Sequence, residues 1–429
     1  MSSVTEAAPA RKRVFSIDAL RGFDMFWIIG GLPLVIAIIK IFCDQPPAWL
    51  ANMPGWLQDL FTLETQTGHA AWEGFTAWDM VMPLFLFIVG AAMPFSFAKR
   101  REEGQGILDT YWRVFRRVLV LWVLGMAIQG HLLDFRVGGA IEGGVVHSPL
   151  ALFSNTLQAI AVGYLVSSIL ILHFPLFVQI LAVALLLIGY WLLMLLVPFV
   201  GTEAGTLAPS RNLARYIEDA VFMPFRDLEA LNYTWILSSM GFAATVLLGV
   251  FGGRVVKSYL SGLSKVLWLT AIGAVCLALG YVWSGWMEEF FDFTLVGDWR
   301  CLCIKHIWSS SMVLWSAGWC YLLLALFYLL LDVIGLRFLG WFFVVIGANS
   351  IFAYVISHLV DFTQIAKGSD NAVGFVGGLA RYLTSVKDAT LGPLEPWNSI
   401  GPAIVPLGAV VILWLILLYM YRKGTFLKV

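Results

Sequence analysis

Residues 176–200 read LFVQILAVALLLIGYWLLMLLVPFV, from Leu176 to Val200, without one charged side chain. A helix crossing the hydrocarbon core of a bilayer needs about 20 predominantly apolar residues, and this run meets that length. Similar runs recur on both sides of it, near residues 22–43, 77–98, 114–131 and 150–172, then near 234–253, 265–284, 306–331, 339–361 and 402–421. Composition agrees. Of 429 residues 60% are hydrophobic and 13% charged, and the mean hydropathy is +0.84. That leaves too little polar surface to clothe a water-soluble globule, so lipid is the solvent for much of the chain. The expected fold is all-α: a polytopic transmembrane bundle of about ten helices, with residues 1–429 forming one membrane domain.

Lysine and arginine orient the bundle. With a cytoplasmic N-terminus, the inner segments hold Arg11, Lys12, Arg13 and Arg21, then Lys99, Arg100, Arg101, Arg113, Arg116 and Arg117. Further along they hold Arg254, Lys257, Lys265, Arg337, Arg422, Lys423 and Lys428. These are 17 of the 27 basic residues, crowded into short loops, as the positive-inside rule requires when both termini are cytoplasmic. The basic opening before the first apolar run imitates a signal peptide. That run is long, carries Asp24 and lacks a cleavage site of small residues, so it reads as a retained helix. A bacterial inner membrane is the expected location.

A net charge of zero gives no electrostatic basis for nucleic-acid binding. Cys276 and Cys320 lie inside apolar runs, and Cys301 and Cys303 lack metal-ligand spacing, so no metal is expected. The outer loops 44–76, 201–233 and 362–401 are rich in Trp, Pro and Gly, and are expected to fold over the helix ends. No internal repeat is visible.

Ionisable groups at membrane depth are costly unless paired or wetted, which makes each a functional candidate. Asp18, Arg21 and Asp24 follow one another at i, i+3 spacing, which reads as a membrane-edge ion-pair ladder. His69-Ala70-Ala71-Trp72-Glu73-Gly74-Phe75-Thr76 leads to Asp79 and the apolar run after it. A histidine just outside a helix start exchanges protons near neutral pH, although such a residue is ordinarily only a hydrogen-bonding group. Asp79 needs a partner: His69, an arginine of the first helix, or backbone donors. A third set is polar where lipid-facing sequence should not be. It comprises Ser154-Asn155-Thr156-Leu157-Gln158, Lys305-His306-Ile307-Trp308-Ser309-Ser310-Ser311, Asn349-Ser350 and His358. Amides and hydroxyls of this kind often only join helices, yet Lys305 and His306 beside three serines suit a polar cavity wall.

Read in order, these blocks resemble the transmembrane acyltransferase family that includes heparan-α-glucosaminide N-acetyltransferase. The resemblance starts at Ser16-Ile17-Asp18-Ala19-Leu20-Arg21-Gly22 and is most specific from His69 through Asp79 to Pro83-Leu84-Phe85-Leu86-Phe87-Ile88-Val89-Gly90. It continues through Leu157-Gln158-Ala159-Ile160-Ala161, the Lys305 block, and Gly347-Ala348-Asn349-Ser350-Ile351-Phe352-Ala353-Tyr354. It implies transfer of an acetyl group from acetyl-CoA to an amino sugar or related carbohydrate, with His69 as the essential group. Chemistry allows that imidazole to act as general base or acyl carrier. Asp79 is the candidate to orient it, as the third member of a triad does. Gln158, Lys305, His306, Ser309, Ser311 and Asn349 are expected to serve acetyl-CoA. The chain departs from the family at Glu73, where asparagine is common, and in the first helix at Trp27-Ile28-Ile29-Gly30-Gly31. Asp24, Trp72 and Glu73 are therefore the expected acceptor-side residues. Membrane lipid is an expected partner, and a homo-oligomer is left open. The competing expectation is a proton-coupled secondary transporter using Asp24, Asp79 and His69.

Overall fold

The computed structural model describes residues 14–42, 66–129, 132, 141–142, 145–146, 148, 150–223, 225, 233–287, 296–369, 372–373 and 401–427. The basic cluster Arg11–Arg13, Lys428, most of the 44–76 loop and the glycine- and proline-rich stretch 374–400 lie outside the described residues.

Each apolar run is helical. The first forms α1 (Phe15–Phe26), a π-helical turn (Trp27–Gly31) and α2 (Leu32–Phe42). After a 3₁₀ turn at Trp78–Met80 come α3 (Val81–Glu102), α4 (Ile107–Ile128), α5 (Thr156–His173) and α6 (Leu176–Leu196). A short surface helix α7 (Leu213–Phe222) precedes α8 (Ser239–Lys257), α9 (Gly262–Ser284) and α10 (Ser310–Tyr328). The chain then runs through α11 (Arg337–Ala348), α12 (Ser350–Leu359), the six-residue α13 (Phe362–Lys367) and α14 (Gly401–Lys423). Among the described residues the strands form three two-residue antiparallel hairpins in the connections. Eight helices among the described residues are long and apolar enough to cross a membrane, nine if the pair α11–α12, bent by 66°, is one span. The remaining expected span, α4, carries Asp109, Arg113, Arg116 and Arg117 in its first half.

Helix ends follow local chemistry. Asn155 and Gln158 form a reciprocal capping box at the start of α5. Ser261 caps α9, which closes on Gly285 in the left-handed conformation. Lipid is as apolar as leucine, so helices here associate by close packing rather than by the hydrophobic effect. Glycines allow it. A Cβ built on Gly90, Gly249 or Gly253 would overlap a backbone carbonyl across the α3–α8 contact, at Val246, Phe87 and Ala91 respectively. Gly22 and Gly347 do the same for α1 and α11. The outward faces stay greasy: Phe177, Ile180, Leu185 and Leu196 of α6 are exposed, as residues meeting acyl chains should be.

Candidate active site

Three side chains from two distant parts of the sequence meet at the mouth of α3. Asp79 sits in the 3₁₀ turn that opens that helix. The segment before it is docked onto the 303–306 segment, where Gly74 N–H donates to Cys303 O at 2.9 Å and Glu73 bridges Ile304. Gly74 has φ 117°, a conformation that favours glycine. This docking carries Lys305 to Asp79, with Nζ donating to Oδ1 at 3.2 Å. His69 Nδ1 lies 2.7 Å from the same oxygen and 3.1 Å from Lys305 Nζ. Thr76 N–H and Ala70 N–H donate to the other carboxylate oxygen at 3.0 and 3.2 Å. Asp79 is thus buried yet supplied with four donors, which offsets the cost of desolvating it.

The geometry fixes a tautomer. An ionised carboxylate only accepts, so the proton of a neutral His69 ring lies on Nδ1 and points at Asp79. Nε2 then carries the free lone pair. The His69 side chain is 44% exposed, whereas those of Asp79 and Lys305 are 1% and 6% exposed. Only the imidazole is therefore openly accessible. Burial pulls the Lys305 ammonium below its ordinary pKa, and Asp79 opposes that shift.

A cavity of about 320 Å³ lies against this cluster. His69, Lys305, Trp78 and Tyr233 line one part of it, and Asn155, Tyr354, His358 and Ile28 another. Burial, then Asp79, pushes the Tyr233 phenol up to about 12, so it is a hydrogen-bond donor at neutral pH. Behind the cavity wall His306 stacks on Trp72, with ring centroids 5.3 Å apart, and packs on Tyr233 at 4.4 Å. Burial, then the Lys305 charge, lowers His306 to about 4, which leaves it neutral. Trp308 holds the Lys305 segment from below. It is the one described non-glycine residue with positive φ, 52°, and its Nε1–H donates to Thr245 Oγ1 at 3.2 Å.

The other expected site residues neither hydrogen-bond to His69 nor line its cavity. Trp72 Nε1–H donates to Leu207 O at 2.9 Å, while Glu73 is exposed on the docked segment. The Gln158 side chain is occupied by the cap, accepting from Ser154 N–H at 2.8 Å and donating to Leu152 O at 2.8 Å. Asn349 sits in the α11–α12 bend and ties down the C-terminal segment through Thr425 O and Leu427 N–H. Ser309 accepts from Ile304 N–H at 2.9 Å and lies 3.4 Å from Ser311, on the Cys301 side of the α10 start. Asp24 is fully buried, with no hydrogen-bond partner on either carboxylate oxygen. The expected ladder thus stops at the Asp18–Arg21 pair, 3.7 Å apart. Asp24 stands one helical turn before Ile28, which lines the cavity. Sequence reading did not single out Thr76, Tyr233 or Tyr354. Tyr233 and Tyr354 reach the cavity through tertiary packing that leaves no local signal.

Fold and site together define a polytopic α-helical membrane protein with an imidazole–carboxylate–ammonium cluster beside a cavity. Over 341 residues the chain is 25% identical to the heparan-alpha-glucosaminide N-acetyltransferase of Homo sapiens, an overlap covering 67% of this chain and 48% of that protein. The chain spans about half the length of this curated relative. No family model matches the sequence. This distant similarity and the eight membrane-length helices support assignment to the transmembrane acyltransferases suggested by the motifs. Among the described residues no group of three or more His, Cys, Asp or Glu is placed to hold a metal.

Proposed function

We propose that the chain is a membrane-embedded acyltransferase, working as one unit, that moves an acetyl group from acetyl-CoA to an amino sugar or related carbohydrate. A bacterial inner membrane is the proposed setting. One observation carries the reading: a solvent-accessible imidazole whose Nδ1–H is directed at a buried, fully hydrogen-bonded carboxylate. His69 Nε2 takes the proton of the acceptor amine or hydroxyl as that group attacks the thioester carbonyl. The new N–C or O–C bond forms, the C–S bond breaks, and the departing thiolate receives the proton back from the imidazolium. Asp79 holds the tautomer and stabilises the cation, as the third member of a triad does. Lys305, at the cavity wall, supplies positive potential for the carbonyl oxygen as it gains charge. An acyl-imidazole formed by Nε2 is the covalent variant of the same geometry.

The cavity has room for the acetylated end of CoA beside an acceptor group, and the nucleotide lies elsewhere. Arg100 Nη1 and Arg117 Nε are buried without hydrogen-bond partners on α3 and α4. Each guanidinium lies over a ring, Arg100 over Phe97 and Arg117 over Tyr164, and the N–H left without an acceptor on each suits a phosphate arriving from the far end of α3. Asp24, unpartnered and buried, favours the second reading, a proton-coupled transporter in which it would carry the proton.

The deciding experiment measures free thiol released from acetyl-CoA by the purified protein, with and without glucosamine, beside a folded His69→Ala variant. Acceptor-stimulated release that disappears in the variant supports the transferase. Absence of release with any amino sugar, together with absence of acetyl-CoA binding, points to the transporter.

A further inference from the structure

A second cavity, of about 230 Å³, adjoins the first, and both are lined by Ile28 and His358. It exists because the first transmembrane helix breaks. The π-helical turn Trp27–Gly31 places Gly30 at φ 119°, a conformation closed to ordinary side chains, and Gly30 itself forms part of the wall. Such single-turn irregularities cluster at functional sites. The lining is divided. Ile29, Pro33, Pro406 and Ala409 give apolar walls on the α1–α2 break and on α14. Ser357, His358, Asp361 and Thr363 gather at the end of α12 and give the polar part.

Two further features indicate what fits. First, the cavity lies along a span that is apolar on both sides of the break; its wall residue Pro33 is exposed, and so are Ile38, Leu407 and Val411 on the same helices, α2 and α14, where a lipid face is expected. Second, His358 Nδ1 lies 2.8 Å from Tyr354 O. A carbonyl only accepts, so the proton sits on Nδ1, and Nε2 of the neutral ring is left as an acceptor for an incoming N–H or O–H.

Resting on the transferase reading, we propose that the second cavity receives the apolar chain of an amphiphilic acceptor. That acceptor is a membrane lipid whose amine- or hydroxyl-bearing head passes His358 to reach His69. It enters sideways from the bilayer, while acetyl-CoA approaches separately. The head gives its proton to His69 Nε2 and takes the acetyl group, and CoA leaves as the thiol. His358 is a positioning residue in this scheme.

The test uses the full chain in lipid nanodiscs, with glucosamine and its octyl β-glycoside as alternative acceptors of one acetyl-CoA. The octyl compound is expected to show a kcat/KM at least about tenfold higher. That preference is expected to collapse toward parity in Pro406→Trp and in Thr363→Trp, which fill the cavity from two different elements. Partitioning concentrates the octyl compound equally for wild type and variants, so a lost preference reports the cavity. No preference in the wild type, or a preference surviving both substitutions, overturns the proposal. Should neither acceptor release CoA, the transferase reading fails separately. The cavity is then judged by binding of radiolabelled octyl glucosaminide to the same nanodiscs. Binding weakened about tenfold in both variants upholds it, and equal binding throughout refutes it.

Discussion

Asp79 shows how one buried carboxylate holds a cation and a ring at once, and on the proposed reading it serves structure and chemistry together. It neutralises Lys305, whose ammonium is nearly as buried as itself, and it orients His69 through the same oxygen. The two roles separate by mutation. Asp79→Asn should lower kcat for CoA release by about 10²-fold or more, because an amide can present its N–H to the ring and favour the wrong tautomer. It should also destabilise the fold by about 3 kcal/mol, because Lys305 is left charged and buried without a counter-ion. Adding Lys305→Met should restore the thermal midpoint without restoring turnover, as a melting curve beside the thiol assay would show. Full recovery of activity in the double variant would refute the orienting role. His306 gives a pH signature of its own. Its pKa of about 4 lies below the ordinary histidine value of about 6.5, so between those limits the unfolded chain binds a proton that the folded chain refuses. Stability should therefore fall as pH drops from about 6.5 toward 4. His306→Phe, which keeps the stack on Trp72, should flatten that part of the Tm–pH curve.

At the scale of elements, close helix contact depends on glycine. A Cβ at Gly249 would overlap Phe87 O, and one at Gly22 would overlap Phe343 O. Gly249→Val and Gly22→Val are expected to cost about 3 kcal/mol each by forcing the α3–α8 and α1–α11 pairs apart. Gly106→Ala, at the exposed start of α4 with only Asp109 at 3.5 Å, should be nearly silent. Fluorescence-detected gel filtration and thermal melts would rank the three, and equal behaviour would show that these contacts are not what joins the helices. The same elements show what the sequence made legible. Runs such as 176–200 announce their helices because bilayer thickness demands length and apolarity at once. Residues Trp27–Gly31 read as one more uninterrupted apolar stretch, because a π-helical turn needs no marker beyond a glycine. His69, Asp79 and Lys305 each stood out as polar residues beside apolar runs. Their convergence depends on the Glu73–Ile304 bridge and on the positive φ of Trp308, neither of which has a periodicity to read. Gln158, Asn349 and Ser309 stood out for the same reason, yet their hydrogen bonds are used to cap helices and pin segments.

For the whole molecule, the order of the spans constrains the direction of chemistry. If α3 to α6 and α8 to α10 are successive crossings, the tight turns after Glu102, His173, Lys257 and Val333 lie on one face of the bundle. Lys99, Arg100, Arg101, Arg254, Lys257 and Arg337 border those turns, and Arg422 and Lys423 end α14 on the same side. His69, the Lys305 segment and the hairpin at Leu207–Asn212 then belong to the opposite face. If the positive-inside rule holds here, the basic face is cytoplasmic, the imidazole stands near the outer surface, and Arg100 and Arg117 face the compartment where CoA is made. This arrangement can be read directly. On a Cys43→Ser background the four described cysteines are buried, so single cysteines introduced at Glu103, Tyr259, Glu203 and Trp299 become the reporters. In intact cells a membrane-impermeant maleimide should label positions 203 and 299 and spare 103 and 259 until the membrane is opened. The reverse pattern would place His69 inside. Acetyl-CoA would then reach the cavity without crossing the bundle, and Arg100 and Arg117 would have no phosphate to meet.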